Sequence, residues 1–150
     1  MKPRRALLVA ALLSLAVFTA AGEGMDPLHL IGMDVKTATD AVGLPQDMFA
    51  FRGIVEVRDS VVFYYQDHTY LFWFKDRVWQ VRYDRRFTSP VLGFTLGMTR
   101  AQVQAAATAS LFPNGDSLYF DINDQSYPVR VRLLFAGDVL TDLYVYRSDF

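Results

Sequence analysis

The sequence predicts an α+β fold of two tandem repeats, each a short helical segment followed by a three- to four-stranded antiparallel sheet, with the helices on one face. A Gly-Met pair occurs at 32–33 and again at 97–98, and a capped amphipathic segment follows each pair. Short apolar runs separated by tight Asp-, Asn- and Gly-containing turns come next, which is typical of antiparallel hairpins. We expect repeats over 25–86 and 91–150, within one domain that covers 22–150.

Residues 1–21 are expected to be a signal peptide rather than part of the fold. Three cations precede an apolar run of thirteen residues, Ala6–Phe18, and small residues follow it. Thirteen residues reach about 20 Å as a helix, short of the ~30 Å hydrocarbon core of a membrane. Cleavage after Ala21 or after Gly22 satisfies the small-x-small rule equally well.

The composition of the remaining residues excludes several classes of function. Without the three N-terminal cations, 12 Lys and Arg face 16 Asp and Glu, so the net charge is −4 and a nucleic-acid partner is not expected. The chain contains no cysteine, hence neither a disulfide nor a lipid-bearing cysteine, which favours a bacterial envelope. We expect a periplasmic or secreted protein that is not lipid-anchored and meets the membrane only through its signal peptide.

In the first repeat, Asp34 is suited to cap a helix over Val35–Val42, because its carboxylate can accept from the free amides of the first turn. Gly43, with Pro45 just beyond, is typical of a helix end. The strands predicted for this repeat are Ile54–Arg58, Val61–Gln66, Tyr70–Phe74 and Val78–Tyr83.

In the second repeat, Thr99 is the expected cap of a helix over Arg100–Ala109, and the turn sequence at 112–115 closes that helix. Alternation of apolar and basic residues is clearest over Val129–Leu133, where the two kinds of side chain must point to opposite faces. The predicted strands of this repeat are Ser117–Ile122, Tyr127–Phe135 and Val139–Tyr146.

The two repeats also end alike, because Val78 and Val81 in the first and Leu140 and Leu143 in the second lie three positions apart. One unit of this kind resembles the SmpA/OmlA family of outer-membrane assembly lipoproteins, and two in tandem resemble the β-lactamase inhibitor protein family. The residues that carry the resemblance are Gly32, Met33, Gly43, Pro45, Phe74, Val81, Gly97, Met98, Phe135 and Leu143. The resemblance implies a non-enzymatic protein that binds another protein through its sheet.

No motif in the sequence indicates catalysis or metal binding. His68 stands beside Asp67, but no Gly-x-Ser-x-Gly elbow supplies a serine, so we interpret both as turn residues. The other histidine, His29, is 39 positions away, and the acidic segment at 121–125 lacks the glycine and the distal Glu of a calcium loop. We therefore expect no catalytic residue, no metal, no cofactor and no enzymatic activity.

The outward face of the predicted sheet is unusually rich in Tyr, Trp and Arg, whereas an exposed sheet face is normally polar. Wide, rigid side chains with polar tips are typical of interface anchors. Taking Phe72, Phe74 and Val81 as inward places Trp73 on this outward face. The residues expected to bind a partner are Tyr64, Trp73, Arg82, Arg130, Arg132, Asp142, Tyr144 and Tyr146.

These features predict an exported module that binds another envelope or extracellular protein through the outward face, in an inhibitor-like or envelope-assembly role. The same face could instead form a homodimer, or its aromatic side chains could only pair across strands. An alternative function is the binding of a small ligand in the periplasm, between the two repeats, with the aromatic side chains as its walls.

Overall fold

The computed structural model describes residues 25–53 and 60–149. The expected signal peptide and the predicted strand Ile54–Arg58 lie outside the described residues. Within the described ranges, no helix has the length and apolar character needed to cross a membrane.

The described chain contains three short helices and eight strands. The helices are α1 (Pro27–Leu30), α2 (Val35–Val42) and α3 (Arg100–Ala106). The strands are β1 (Asp47–Phe51), β2 (Ser60–Tyr64), β3 (Thr69–Phe74), β4 (Arg77–Asp84), β5 (Phe112–Asn114), β6 (Ser117–Ile122), β7 (Val129–Ala136) and β8 (Val139–Arg147).

All eight strands belong to one antiparallel sheet, in the order β1-β2-β3-β4-β8-β7-β6-β5. At its centre β4 pairs with β8, from Gln80 opposite Tyr146 to Asp84 opposite Asp142. The predicted fold class, two repeats each with a helix and its own three- or four-stranded sheet, is therefore wrong. Joining β4 to β8 satisfies the backbone groups that two separate sheets would leave exposed along their edges.

Individual elements differ from their predicted ranges mainly at the ends. Helix α2 has the predicted ends, whereas α3 stops at Ala106 because Ala107 adopts an extended conformation. Helix α1 and strand β1 were not predicted. Strand β7 begins at Val129, not at Tyr127. Residues 112–114, expected to close a helix, instead form the edge strand β5, where Pro113 is tolerated because its missing N–H is not needed for pairing.

The hydrophobic core lies between the helices and one face of the sheet, which we call the helix face. Leu30, Ala38 and Val103 project from the three helices and are almost completely buried against it. The segment between β4 and α3 adds Phe87 and Phe94. The sheet residues that complete this core include Leu71, Trp73, Val78, Val81, Val131, Leu133, Leu143 and Val145.

Each Gly-Met pair forms a turn that attaches a helix to the sheet. Gly32 and Gly97 have φ of 90° and 93°, where a side chain would be strained. The amide of Gly32 donates to the carbonyl of Val78, and the amide of Gly97 donates to that of Leu140, both at 2.8 Å. These turns place the N-terminal ends of α2 and α3 beside β4 and β8.

Two β-bulges explain the apolar residues three positions apart. In a regular strand a spacing of three would put the two side chains on opposite faces. In the pairing of β3 with β4, Phe72 lies opposite Gln80 and Trp73 opposite Val78, so β4 has one extra residue at this point. Val78 and Val81 are therefore both fully buried on the helix face. A matching shift between β7 and β8 places Leu140 and Leu143 on that face as well.

Candidate binding surface

The sheet face opposite the helix face, which we call the Tyr/Arg face, carries a row of alternating tyrosines and arginines. Cross-strand partners are Tyr70 with Arg82, Arg82 with Tyr144, Tyr144 with Arg132, and Arg132 with Tyr119. Directly opposite residues point to the same side of a sheet, so the five side chains stand next to each other on five neighbouring strands.

Cation–π contacts hold this row together. The guanidinium carbon of Arg82 lies 4.9 Å from the ring centre of Tyr70 and 5.6 Å from that of Tyr144. The guanidinium carbon of Arg132 lies 5.5 Å from the same Tyr144 ring. These distances are within the ~6 Å over which a cation is attracted to an aromatic face. The contacts limit side-chain freedom before binding, which lowers the entropy lost when a partner docks.

Two arginines of the face are paired with aspartates on the next strand. Arg82 donates from Nε to Oδ1 of Asp142 at 2.8 Å. Arg130 forms a bidentate pair with Asp121, with distances of 2.7 and 3.0 Å. The hydrogen bonds from Arg130 hold the pKa of Asp121 below its ordinary value. Both pairs fix the direction of their guanidinium groups.

Arg132 has a different environment. Its Nε donates to Oγ of the buried Ser117 at 2.9 Å, and its guanidinium lies over Tyr144. The neighbouring Arg147, by contrast, forms a bidentate pair with Asp149. Across residues 25–53 and 60–149, no carboxylate forms an ion pair with Arg132.

A cavity of about 520 Å³ lies on the Tyr/Arg face. Its volume is within the range of about 300–1,000 Å³ that is usual for ligand sites. The aromatic and cationic side chains that line it include Phe51, Trp79, Tyr119, Tyr144, Tyr146, Arg130, Arg132 and Arg147. Among the described residues that line it, none carries a carboxylate. The described lining of the cavity is therefore aromatic and carries positive charge.

Seven of the eight residues expected to bind a partner lie on the Tyr/Arg face. Arg130, Arg132, Tyr144 and Tyr146 line the cavity. The other three lie outside the lining: Tyr64, whose ring is 4.8 Å from that of Tyr70, and the paired Arg82 and Asp142.

The eighth residue, Trp73, was assigned to the wrong face. It is 6% exposed and lies in the core, with its ring 4.9 Å from that of Phe63. Leu71 is paired with Val81, so Leu71 and Trp73 share the helix face, while Phe72 and Phe74 point the other way. The run from Thr69 to Phe74 is apolar on both faces, so its alternation could not decide between them.

Four of the aromatic and cationic residues that line the cavity were not predicted: Phe51, Trp79, Tyr119 and Arg147. Trp79 donates from Nε1 to Oγ of Ser60 at 3.0 Å, and its ring stands edge-on to that of Phe72. Val78 and Val81 can both face the core only if β4 contains a bulge between them. That bulge turns Trp79 to the Tyr/Arg face, so the spacing of the two valines was the signal that could have placed Trp79 there.

A polar cluster stands at the Tyr70 end of the row. Asp84 accepts hydrogen bonds from Tyr70 at 2.8 Å and from Arg86 at 2.7 Å. Burial would raise the pKa of Asp84, but these hydrogen bonds outweigh burial and hold its pKa well below the ordinary value. His68 lies in the turn before β3, with Nδ1 2.8 Å from the Tyr64 hydroxyl and 4.0 Å from Asp84.

In this cluster the carboxylate of Asp84 is already paired with Arg86, and His68 contacts the hydroxyl of Tyr64. No serine or threonine hydroxyl is hydrogen-bonded to His68 in the part of the chain that the structure describes. Over the same part, no group of three or more His, Asp or Glu side chains is placed to hold a metal ion.

No family model matches the sequence, and no curated protein matches it. The fold is similar to that of an extracellular protein containing an SCP domain from Bacillus anthracis str. Ames, with a TM-score of 0.54 and 14% identity over 99% of this chain and 50% of that chain. It is also similar to a cysteine-rich secretory protein from Staphylococcus aureus subsp. aureus Mu50, with a TM-score of 0.51 and 14% identity over 81% of this chain and 46% of that one.

The chain spans about half the length of these two proteins, and at 14% identity the likeness shows the fold alone. The expected resemblance to the SmpA/OmlA and β-lactamase inhibitor protein families is wrong, because the similar structures are SCP-domain and secretory proteins and the strands form one sheet. The Gly-Met pairs suggested this resemblance. Their glycines supply a positive φ just before a helix, a local requirement that is not specific to one fold.

Proposed function

We propose that the protein is an exported, non-catalytic module that binds another extracellular or envelope protein through the Tyr/Arg face. The observation that carries this proposal is the cavity of about 520 Å³ on that face, lined by tyrosines and arginines that their own contacts hold in place. Export is supported by the N-terminal sequence, and by the descriptions of the two similar structures as extracellular and secretory proteins.

The composition of the face favours a protein partner. Tyrosine, tryptophan and arginine are enriched among the residues that contribute most to protein–protein binding. Apolar surface also continues from the cavity along β1, because Phe51 at its edge and Phe49 beyond it are 46% and 42% exposed on the same face. A polar-aromatic centre with an apolar extension suits the broad contact area of a protein better than a single small molecule.

A comparison of captured proteins tests this proposal. Tagged full-length protein is incubated with envelope extract and culture medium of its source, alongside a Tyr119→Ser/Tyr146→Ser double variant. We expect wild type to capture a partner that the double variant loses, because both rings line the cavity. Circular dichroism checks that the double variant is folded.

Leu44→Ser is the matched control, since Leu44 is 83% exposed and lies away from the Tyr/Arg face. It should capture the same partner as wild type. Capture of the same proteins by the double variant and by wild type would contradict the proposal.

The cavity volume favours a second candidate, the binding of a small ligand at the same face. A low-molecular-weight extract from which protein has been removed should then raise the melting temperature of wild type and leave that of the Tyr119→Ser/Tyr146→Ser variant unchanged. The absence of any shift in wild type would exclude this candidate for the ligands present in the extract.

A further inference from the structure

We propose that the partner docks an acidic side chain, an aspartate or glutamate of an exposed segment, on Arg132 in the cavity between Tyr119 and Tyr144. This inference rests on the protein-binding role proposed above and names the chemistry of the group that the cavity recognises.

Arg132 differs from the arginines around it in its hydrogen-bond partners. Arg82, Arg130 and Arg147 each have an aspartate partner. Arg132 donates from Nε to a serine hydroxyl, and its terminal nitrogens make no hydrogen bond to any other described residue. A guanidinium presents donors that match the two oxygens of a carboxylate, so Arg132 has that capacity available.

The charge of the cavity lining also favours an acidic group. The lining includes Arg130, Arg132 and Arg147, and no described lining residue is acidic. Asp121 and Asp149 neutralise two of these cations from outside the lining, which leaves the charge of Arg132 uncompensated in a half-buried position. Removing a charged group from water is costly unless it is paired, so a carboxylate from the partner would be favoured there.

The space around Arg132 suits a side chain that belongs to a peptide segment. Tyr119 and Tyr144 are the cross-strand neighbours of Arg132 on either side, and its guanidinium lies over the ring of Tyr144. The cavity of about 520 Å³ has room for more than one side chain, so residues next to the docked carboxylate can pack on these rings. This arrangement favours an acidic residue within a peptide segment over a free carboxylate ion.

The experiment is a selection from a random displayed peptide library on immobilised full-length protein. Selected peptides are then synthesised, each with a counterpart in which Asp is replaced by Asn or Glu by Gln. Affinities are measured for wild type, Arg132→Gln and Arg132→Lys. Arg77→Gln is the arginine control, because Arg77 lies beside the helices, where it pairs with Asp34.

We expect the enriched peptides to contain an acidic residue, and its neutral counterpart to bind about tenfold or more weakly. Arg132→Gln should weaken the acidic peptide by a similar factor and leave the neutral one almost unchanged, with partial recovery in Arg132→Lys. Arg77→Gln should bind like wild type. Raising the salt concentration should weaken the acidic peptide more than the neutral one.

Three results would overturn the inference in distinguishable ways. Peptides without acidic residues that bind wild type but not the Tyr119→Ser/Tyr146→Ser variant would refute acidic docking and leave the binding face in place. Peptides insensitive to every substitution on this face, or no enrichment at all, would refute both. A dimer seen by sedimentation that Arg132→Gln dissociates would show that a second copy of the chain occupies the cavity.

Discussion

Replacing Trp73 by alanine should destabilise the protein severely, because this side chain belongs to the core and not to the binding surface. The ring is 6% exposed and packs against that of Phe63. Truncation of a buried tryptophan typically costs about 3–5 kcal/mol. For a domain of this size the loss corresponds to a melting temperature lower by about 10–20 °C.

The assay is urea unfolding followed by circular dichroism. Val61 is the control position, because it stands directly opposite Trp73 on the same face yet is 51% exposed; Val61→Ala should cost about 0.5 kcal/mol or less. Trp73→Phe should cost much less than Trp73→Ala, since it keeps most of the apolar area and removes an Nε1 that has no partner among the described residues. If Trp73→Ala were as stable as Val61→Ala and failed to bind a partner, the face assignment would be wrong.

Three further predictions concern stability. Asp142→Ala should cost about 1–3 kcal/mol in chemical unfolding, because it leaves the half-buried guanidinium of Arg82 without its carboxylate. The pKa of Asp84 is lower in the folded protein than in the unfolded chain, so the unfolded chain binds the proton more readily. The free energy of unfolding should therefore fall as the pH drops below about 4. Asp84→Asn should show a shallower fall of this free energy in the same titration. Thr99→Ala removes the side-chain oxygen that accepts from the Gln102 amide in a capping box and should cost about 1 kcal/mol in thermal unfolding, whereas Thr99→Ser should be nearly neutral.

Local features of the fold were predictable from the sequence. The cap at Asp34 and the end at Gly43 correctly bounded α2, because capping depends on residues within one turn of the helix. Alternation over Val129–Leu133 correctly separated the buried valines and leucine from the outward arginines, because opposite faces of that strand differ strongly in polarity.

The candidate surface was predicted only where such a contrast exists. Arg130, Arg132, Tyr144 and Tyr146 alternate with buried residues, and the structure places them together on the cavity. Trp73 lies in a strand that is apolar on both faces, so its orientation depended on pairing with β4 and on the bulge there. The binding role of the surface stays a prediction.

The sequence by itself determined the helix caps, the turns and the side-chain alternation of the polar-faced strands, because these follow from interactions between residues close together in the chain. Only the tertiary structure decided that β4 joins β8 in one sheet, and that Tyr70, Arg82, Tyr144, Arg132 and Tyr119 form one row. That row depends on the register of five strands, and register depends on long-range pairing that no local pattern records.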